Sequence, residues 1–480
     1  MRVRFAPSPT GYIHIGNVRT AIINYLIARK NGASLVLRIE DTDMERSTKE
    51  SERSIMDDLT WLGIEWNEGP DVGGGCGPYR QSERFGIYNE YTERLLREGK
   101  AYHCYCTQQE LDAMRQDAEK QNRTFTYPGK CRHLSTEEKQ KFEAEGRKPT
   151  VRFHVPEGET VTIRDHIKGS VTFSSENIGG DFIIVRSDGT PIYNYIVIID
   201  DALMKISHVI RGEDHLSNTP KQILVARALD LPVPEYAHLS LVLGPDRSKL
   251  SKRHGITSLN MYREEGYLPE ALINYLGMLG WASESGDEII PIKEIISQID
   301  ITNLAKSAAI FDFQKLKWMN GKHLRELPIG RATDLFAPFI ARAGYDISSL
   351  DRKYLEQLVS VVQIKCDILS DIGRLAGIFL DDVPSPDSET EVMLTTEEGN
   401  IMLKAARELV SGEINENNFA TDFIPRIKET TNLKGKKLFM PLRAMITGRL
   451  QGPELDQALP LIGYHRCKKR IDQYSAAYTR

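Results

Sequence analysis

The first forty residues constrain the fold of this chain more than any other segment. Val3 to Ala6 is a short apolar run, and the loop Pro7–Gly11 follows it. Two prolines in that loop remove hydrogen-bond donors and exclude regular structure. Apolar residues then recur at helical spacing from Asn17 to Lys30, and Ser34 to Glu40 forms a second apolar run. Two strands around one helix predict a βαβ unit, and therefore a parallel sheet.

The segments that follow extend this pattern and then interrupt it. Ser47-x-x-Glu50 predicts a capping box that opens a helix to about Leu62, and a further helix is predicted over about 83–97. From 101 to about 186 a charged helix and short β-rich pieces predict an insertion. Parallel-sheet features then resume, with strands predicted at 193–199, 208–211 and 238–243. Beyond about 256 the chain is predicted to be mainly helical.

These elements predict a multidomain α/β plus all-α protein. We expect a doubly wound, Rossmann-type sheet that is split by an α+β insertion and followed by helical domains. The sheet domain should comprise 1–100 and 187–243, with the insertion at 101–186. A segment at 244–328 should lead to two helical domains at 329–383 and 384–480, which an acidic Pro-rich break at 381–387 separates.

Composition excludes several classes of protein. Hydrophobic residues make up 40% and charged residues 27%, which permits large cores and argues against global disorder. Mean hydropathy is −0.37, and no apolar run of about 18 residues predicts a membrane span. The first seven residues do not resemble the apolar part of a signal peptide. Six cysteines without a regular framework favour a reducing, cytoplasmic location.

The net charge of −5 hides a gradient along the chain. Residues 421–480 carry 12 Lys and Arg against 5 Asp and Glu, a net charge of +7. The rest of the chain is therefore acidic. Basic residues at 434–437 and 465–470 form either an ordinary solvated face or a surface for nucleic-acid backbone.

Two polar loops, each following a predicted strand, suit phosphate. His14-Ile15-Gly16-Asn17 opens the first helix, where free N–H groups and the helix dipole favour an anion. Residues 248–253 (SKLSKR) place two lysines three residues apart, so that they can wrap a polyphosphate. Taken alone, each loop also has an ordinary interpretation, as a chance His-x-Gly and as a solvated basic loop.

Two further groups of residues suggest binding sites. Cys104-x-Cys106 and Cys131-x-His133 supply thiolates and an imidazole, which match tetrahedral zinc, although the first spacing is tight and the residues could simply be reduced side chains. Arg4 and Arg211 lie at predicted strand ends, where guanidinium groups can bind carboxylates bidentately. The alternative for these arginines is an ion pair with Glu40, which is predicted to end the second strand.

Taken together, the two loops resemble the signatures of class I aminoacyl-tRNA synthetases. The stretches 4–11 (RFAPSPTG), 38–43 (RIEDTD), 210–215 (IRGEDH), 249–255 (KLSKRHG) and 441–448 are similar to those of the bacterial glutamyl-tRNA synthetase family, and the resemblance covers essentially the whole chain. The chain departs from the family signatures at Asn17, where the family has histidine, and at Leu250, where it has methionine. Neutral Asn17 can still hydrogen-bond a phosphate or a ribose.

The resemblance implies a role for each matching residue. The catalytic residues would be His14, Lys249 and Lys252. ATP would contact Thr10, His14, Gly16, Asn17, Lys249, Ser251, Lys252 and Arg253. Glutamate would contact Arg4, Ala6, Ser8, Glu40, Tyr193 and Arg211, with Arg4 and Tyr193 on its side-chain carboxylate and Ser8 and Glu40 on its ammonium group. One structural Zn²⁺ would be bound by Cys104, Cys106, Cys131 and His133.

The resemblance also implies an activity. ATP, with Mg²⁺, would convert L-glutamate to glutamyl-adenylate, and the glutamyl group would pass to the 3′-terminal adenosine of tRNA(Glu). Whether tRNA(Gln) is also charged is left open by the sequence. The insertion would bind the acceptor end, 244–328 would contact the stem, and the two helical domains would bind the anticodon. A monomer without membrane association is expected.

Alternative functions have different sequence requirements. A nucleotidylyltransferase of related fold would not need the long helical region after the lysine-rich loop. A non-catalytic RNA-binding paralogue would not need Arg4, Glu40, Lys249 and Lys252 together. Within the family, a shortened relative that glutamylates a modified tRNA base lacks anticodon domains, and a glutaminyl enzyme would carry a β-barrel in their place.

Lys252→Ala should lower the rate of adenylate formation by roughly 10²–10³, because it removes one preorganised charge from the transition state. Folding should change little. ATP–pyrophosphate exchange measures the rate, and near-normal turnover would mean that the loop is only a solvated basic segment.

Overall fold

The computed structural model describes residues 1–478, without the side chains of Glu176 and Lys252. The chain packs as two compact units. Unit 1 comprises Met1–Tyr262 and Leu272–Phe313, and unit 2 comprises Arg263–Ala271 and the chain from Gln314 onward. No helix in the described chain is both long and apolar enough to span a membrane.

Unit 1 begins with the predicted βαβ unit. Strand β1 (Arg2–Phe5) pairs in parallel with β2 (Ser34–Leu37), and helix α1 (Ile15–Lys30) connects them. Most residues of both strands are buried, as expected of a parallel sheet whose two faces are covered. Gly32 follows the end of α1 with a φ of 57°, the left-handed conformation that is typical of a glycine after a helix.

The remaining elements of the first half and of the insertion alternate helices with short strands. They are α2 (Lys49–Trp61), α3 (Phe85–Arg97), β3 (Ala101–Cys104), α4 (Gln108–Lys120), α5 (Thr136–Ala144), β4 (Thr150–Phe153), β5 (Thr160–Asp165), β6 (Gly169–Ser174), α6 (Ser175–Ile178) and β7 (Phe182–Val185).

The chain then returns to the parallel sheet and continues into short helices. The elements are α7 (Tyr193–Leu203), β8 (His208–Gly212), α8 (Thr219–Ala228), β9 (Glu235–Leu239), β10 (Val242–Leu243), α9 (Leu259–Glu265), α10 (Pro269–Met278), α11 (Ile292–Gln298) and β11 (Ala309–Ile310). β8 and β9 are parallel neighbours, and the Ser207 N–H donates to Arg2 O at 3.0 Å beside β1. The carboxyl ends of β1, β2, β8 and β9 therefore meet at one edge.

The insertion is integrated into the core of unit 1. Strands β3, β4 and β7 form an antiparallel sheet, while the β5–β6 hairpin joins β9 through a parallel pairing of Asp165 with Tyr236. Ile163 of the hairpin and Val209 of β8 belong to the same buried cluster. The insertion thus extends the parallel sheet on one side. The alternation of apolar residues along the sequence did not indicate this long-range pairing.

The prediction of a strand at 193–199 is wrong. This segment begins helix α7, which is buried from Tyr195 to Ala202. A helix that is buried on all sides loses its apolar periodicity and cannot be told from a buried strand by pattern alone.

Two smaller predictions also need correction. Helix α2 is capped by Thr48, whose hydroxyl accepts the Ser51 N–H at 3.0 Å, so the cap lies one residue after the predicted Ser47. Glu40 does not end β2, because that strand stops at Leu37. Its carboxylate is carried by the loop that follows the strand.

Unit 2 is helical. Its main helices are α12 (Phe313–Glu326), α13 (Ile329–Arg342), α14 (Arg352–Gln363), α15 (Ile372–Leu380), α16 (Ser388–Thr395), α17 (Glu397–Ser411), α18 (Phe419–Thr431), α19 (Lys436–Thr447), α20 (Leu455–Ile462) and α21 (Tyr464–Tyr478). The Pro-rich break falls between α15 and α16, as predicted. Phe336 before it and Phe423 after it belong to one hydrophobic cluster, so the helices on both sides share a core.

Candidate active site

A cleft of about 760 Å³ lies at the carboxyl ends of β1, β2, β8 and β9. Ligands bind at this edge of open α/β sheets because the diverging loops leave a crevice there. The predicted residues that line the cleft come from both proposed sites: Arg4, Ala6, Ser8, Thr10, His14, Gly16, Asn17, Glu40, Tyr193, Arg211 and Lys249. The fold therefore brings together side chains that are distant in sequence.

At the amino end of α1, the backbone N–H groups are not free, as had been predicted, but hydrogen-bonded. His14 is the N-cap, and its Nδ1 accepts the Gly16 N–H at 3.1 Å. The neighbouring amides of residues 15 and 17 donate to the backbone oxygens of Thr257 and His14, each at 2.8 Å. The N–H groups predicted to be free for phosphate are thus occupied. Burial and Lys249 lower the pKa of His14, which leaves a neutral ring with its proton on Nε2, where it can donate to a ligand.

The lysine-rich loop contributes Lys249 to the cleft. Its Nζ lies 3.2 Å from Asp214 Oδ2, and its side chain is 67% exposed. Arg253 pairs instead with Asp246 at 3.0 Å, and the Ser251 N–H donates to a histidine in the same loop. Neither Ser251 nor Arg253 lines the cleft in the described structure, so their predicted contacts with ATP require movement of the loop.

Leu250 and Lys252 are the remaining predicted positions of the lysine-rich loop. Leu250, which replaces the methionine of the signature, is buried, and its N–H donates to Val242 O at 3.2 Å. Its role is therefore to anchor the loop on the apolar interior. The side chain of Lys252 lies outside the described residues, so its contact with ATP stays a prediction.

Buried ion pairs form the floor of the cleft. Fully buried Arg38 contacts Asp201 Oδ1 at 2.7 Å and Glu40 Oε1 at 3.1 Å, and Arg4 Nε lies 3.2 Å from the same Asp201 oxygen. Desolvation would raise the pKa of Asp201, but the charges of Arg4 and Arg38 outweigh it and lower that pKa. Desolvation dominates at Glu40 and raises its pKa. A ligand ammonium group beside Glu40 would therefore stabilise its carboxylate.

Arg211 is surrounded by neutral acceptors. Its Nε donates to His238 Nε2 at 3.2 Å, one terminal nitrogen donates to Thr219 and Gln222 at 2.8 and 2.9 Å, and the other lies 3.4 Å from the Tyr193 hydroxyl. No carboxylate within the described chain forms an ion pair with Arg211. A buried cation without a counter-charge is costly, so this site favours an anionic ligand.

Several residues that line the cleft had not been predicted as site residues, and His215, Asn194 and Arg186 are among them. The His215 ring centre lies 5.3 Å from that of Tyr193, and burial, together with the charge of Arg211, lowers the pKa of His215 to about 4. His215 belongs to the stretch 210–215 that carries the family resemblance, so a signal was present. Arg186, which follows β7, and Asn194 on α7 also line the cleft, and nothing in the sequence marked either residue.

Three cysteines meet in the insertion. Ligand atoms of Cys104, Cys106 and Cys131 all lie within 4.8 Å of one another, and the Tyr127 hydroxyl is 3.4 Å from the first two sulfurs. Hydrogen bonds with the other two cysteines lower the pKa of Cys104, which favours a thiolate. Exposed His133 does not belong to this group in the described structure, so the predicted fourth ligand is not placed there.

The basic tail is only partly a surface. Lys434, Lys436 and Lys469 are exposed, as a nucleic-acid contact requires. Arg470 is fully buried, and its terminal and Nε nitrogens donate to the backbone oxygens of Asp381 and Asp382 at 2.6 and 3.0 Å. The prediction that places Arg470 on a nucleic-acid surface is therefore wrong, because this arginine holds the Pro-rich break against α21.

Unit 2 contains a second cleft, of about 790 Å³. Four cations line it together with an aromatic ring: Lys365, Arg374, Arg443, Arg449 and Tyr345. Guanidinium groups and aromatic rings in one cleft suit unpaired nucleobases and their phosphates.

Comparisons with known proteins cover both units. The family described as class I tRNA synthetases (E and Q), catalytic domain, matches residues 1–318, and an anticodon binding domain family matches residues 331–475. The chain therefore belongs to the class I tRNA synthetases of the glutamate and glutamine group.

Several relatives within that group are named glutamate–tRNA ligase. Glutamate–tRNA ligase of Carboxydothermus hydrogenoformans is 46% identical over 98% of this chain and 99% of that protein. The ligase of Desulforamulus reducens is 47% identical over the same shares. A crystal structure of a glutamate tRNA ligase from Elizabethkingia meningosepticum, in complex with its amino acid, covers 100% of both chains at 33% identity and a TM-score of 0.87.

Arg211→Gln should weaken binding of L-glutamate, the ligand expected from the sequence. Loss of a buried charged partner costs about 2–5 kcal/mol, which corresponds to roughly a 30-fold or larger rise in Kd. Calorimetric titration measures this rise, and ATP binding should change little. Arg29→Gln, at a half-exposed ion pair on α1, is the control. A variant that loses ATP affinity but keeps glutamate affinity would contradict the assignment.

Proposed function

We propose that this chain is a glutamate–tRNA ligase. It activates L-glutamate with ATP and transfers the glutamyl group to the 3′-terminal adenosine of tRNA(Glu). The observation that carries the proposal is buried Arg211, which has only neutral acceptors and lines the same cleft as Glu40. A cation that lacks an anion and a carboxylate with a raised pKa together suit an amino acid with two carboxylates and one ammonium group.

The charges of the cleft orient glutamate. Arg4 donates to Asp201 through its Nε, so the terminal nitrogens of Arg4 are available to the side-chain carboxylate, together with Tyr193. A terminal nitrogen of Arg211 lies 3.4 Å from the Tyr193 hydroxyl and adds its charge to the same region. Ser8 and Glu40 receive the ammonium group. Two guanidinium groups in one cleft discriminate against amides, because an uncharged side chain would leave a buried cation unpaired.

Activation is mainly a matter of positioning and charge. An α-carboxylate oxygen of glutamate attacks the α-phosphorus of ATP, and pyrophosphate leaves. His14 Nε2 and Lys249 stabilise the negative charge that develops on the phosphate oxygens, and Lys252 is proposed to do the same. Mg²⁺ enters bound to ATP. The 2′-hydroxyl of the terminal ribose then attacks the glutamyl carbonyl, and AMP leaves.

Three cysteines in the insertion fit a structural zinc ion. Thiolates are the ligands that Zn²⁺ prefers, and Cys104, Cys106 and Cys131 already converge. His133 lies two residues after Cys131 and is the proposed fourth ligand. The metal, when bound, would link strand β3 to the segment after α4 and would stabilise the insertion without taking part in the reaction.

Unit 2 is proposed to bind the anticodon. Its cationic cleft, lined by Arg374, Arg443 and Arg449, is the site we assign to unpaired bases. The insertion is proposed to receive the acceptor end, with 244–328 along the stem and with 329–383 and 384–480 as two parts of the anticodon region. The monomeric state and the cytoplasmic location stay predictions.

Amino-acid specificity tests the proposal. ATP–pyrophosphate exchange should depend on L-glutamate and should be much weaker with glutamine or aspartate, in assays with and without tRNA. A chain that activates glutamate but charges no tRNA would be a nucleotidylyltransferase, and a chain that binds tRNA without exchange would be a non-catalytic paralogue. Charging of purified tRNA(Glu) and tRNA(Gln) in separate assays decides the breadth of the tRNA specificity.

The metal proposal gives a separate prediction. Purified protein should contain about one Zn²⁺ per chain, and Cys104→Ser should release it and loosen the insertion, because metal binding and local folding are coupled. Elemental analysis and amide hydrogen exchange measure these effects. Cys76→Ser, at a cysteine outside the cluster, should retain zinc. Protein purified without chelator that contains no zinc would refute the proposal.

A further inference from the structure

A chain of three buried polar residues runs behind the glutamate cleft. Asp165, His238 and Arg211 are 4%, 0% and 4% exposed. Arg211 on β8 and His238 on β9 are directly paired in the parallel register, and Asp165 ends the neighbouring strand β5. Only Arg211 lines the cleft, so Asp165 and His238 act on a ligand solely through it.

Asp165 accepts hydrogen bonds at both carboxylate oxygens. Its Oδ1 accepts the backbone N–H groups of Ile167 and Lys168 at 2.9 and 2.7 Å. Its Oδ2 lies 2.6 Å from His238 Nδ1 and also accepts the His238 N–H at 3.1 Å. Desolvation opposes the charge, but the hydrogen bonds from His238 and from the backbone outweigh it and lower the pKa of Asp165. An ionised carboxylate can only accept.

These bonds select one form of His238. Nδ1 faces an acceptor and must carry a proton, whereas Nε2 faces the Arg211 Nε–H at 3.2 Å and must be a free lone pair. The Thr219 hydroxyl, 3.2 Å from Nε2, is compatible with this form because it can donate to Nε2 or to His215 O. Burial lowers the pKa of His238 and keeps the ring neutral, while the hydrogen bond to Asp165 opposes this shift.

We propose that Asp165 and His238 are positioning residues for substrate recognition: the carboxylate sets the imidazole tautomer, and Nε2 then orients the guanidinium of Arg211 toward a carboxylate of the substrate. The inference rests on the proposed glutamate-binding role of Arg211. Neither residue contacts the cleft, so neither is catalytic. The arrangement explains why a neutral acceptor, rather than a second carboxylate, holds this arginine. A carboxylate would neutralise the charge that the substrate needs.

Asp165→Asn tests the tautomer with almost no change of shape. The carboxamide oxygen must face the fixed backbone N–H groups of residues 167 and 168, which places the NH₂ group against His238 Nδ1. The His238 backbone N–H, which is 3.1 Å from Oδ2, also reaches Oδ1 at 3.3 Å and so keeps an acceptor in the variant. That nitrogen must then accept, and the ring proton moves to Nε2, opposite the Arg211 Nε–H. Two donors would face each other, so the guanidinium should move.

Kinetics of glutamate-dependent ATP–pyrophosphate exchange, with tRNA(Glu) present, measure the consequence. Asp165→Asn should raise KM for glutamate by about 10- to 100-fold, the range for a lost hydrogen bond to a charged group. KM for ATP and the melting temperature should change little. In a His238→Leu background the same substitution should have almost no further effect, because there is no tautomer left to invert.

Two conservative variants separate positioning from packing. His238→Gln carries an oxygen near the position of Nε2 and should keep most of the glutamate affinity, whereas His238→Asn resembles only the Nδ1 side and should lose it. A structural role alone would make both variants unstable and would raise both KM values together. Equal glutamate KM values for wild type, Asp165→Asn and His238→Asn would overturn the proposal.

The tautomer of His238 can also be determined by NMR in the absence of any substrate. Nitrogen-15 chemical shifts of His238, assigned by difference from the His238→Gln spectrum, should indicate a protonated Nδ1 in the wild type and a protonated Nε2 in Asp165→Asn. An Nε2–H ring in the wild type would refute the inference. Absence of glutamate-dependent exchange in the wild type would instead refute the proposed function, so the two failures are distinguishable.

Discussion

The guanidinium of Arg38 holds the floor of the cleft together. This side chain is fully buried, and it contacts Asp201 and Glu40 directly, with Asp200 4.0 Å away. Burial of charge is costly unless each ion is paired and hydrogen-bonded. The position of α7, which supplies both aspartates, is therefore tied to the loop after β2, which supplies Arg38 and Glu40. Arg4 from β1 completes the connection through Asp201.

The buried charges at this edge of the sheet are not all in direct contact with an opposite charge. Asp200 is neutralised mainly by Arg84 at 2.6 Å, and Asp201 and Glu40 by Arg4 and Arg38. Arg211 remains with histidine, threonine, glutamine and tyrosine partners. Because Arg211 has no direct ion pair, its charge makes the site selective for an anion, and its neutral partners hold the guanidinium away from an internal acid. Affinity for a carboxylate is therefore prepared before the ligand arrives.

Much of the fold could be predicted, and the exceptions have physical causes. The βαβ unit at the N-terminus follows from alternating apolar runs and from the prolines of the first loop, which are local signals. Helix α7 was predicted as a strand because burial on all sides removes the helical pattern from 193–199. The β5–β6 hairpin joins β9 at Asp165 through a pairing across more than seventy residues, which no local pattern encodes.

The active site, like the fold, could be predicted only in part from the sequence. Residue types at motif positions indicated Arg4, Glu40, Arg211, His14 and Lys249, and the fold places all of them around one cleft. The sequence did not indicate that the N–H groups at the start of α1 are consumed by His14 and Thr257, since this depends on a distant backbone. Exposure likewise separates Lys434 and Lys469 from buried Arg470, although all three belong to the basic runs.

The sequence by itself determined the class of protein, the order of the elements and the set of charged groups available to a ligand. These depend on residue identity and on spacing along the chain. Tertiary structure decided which charges are already paired and which remain for a substrate. Arg4, Arg38 and Arg211 are equivalent as residues, but only the packing of α7 and β9 gives the first two acidic partners and gives Arg211 neutral ones. That difference arises because pairing and desolvation depend on distance in space.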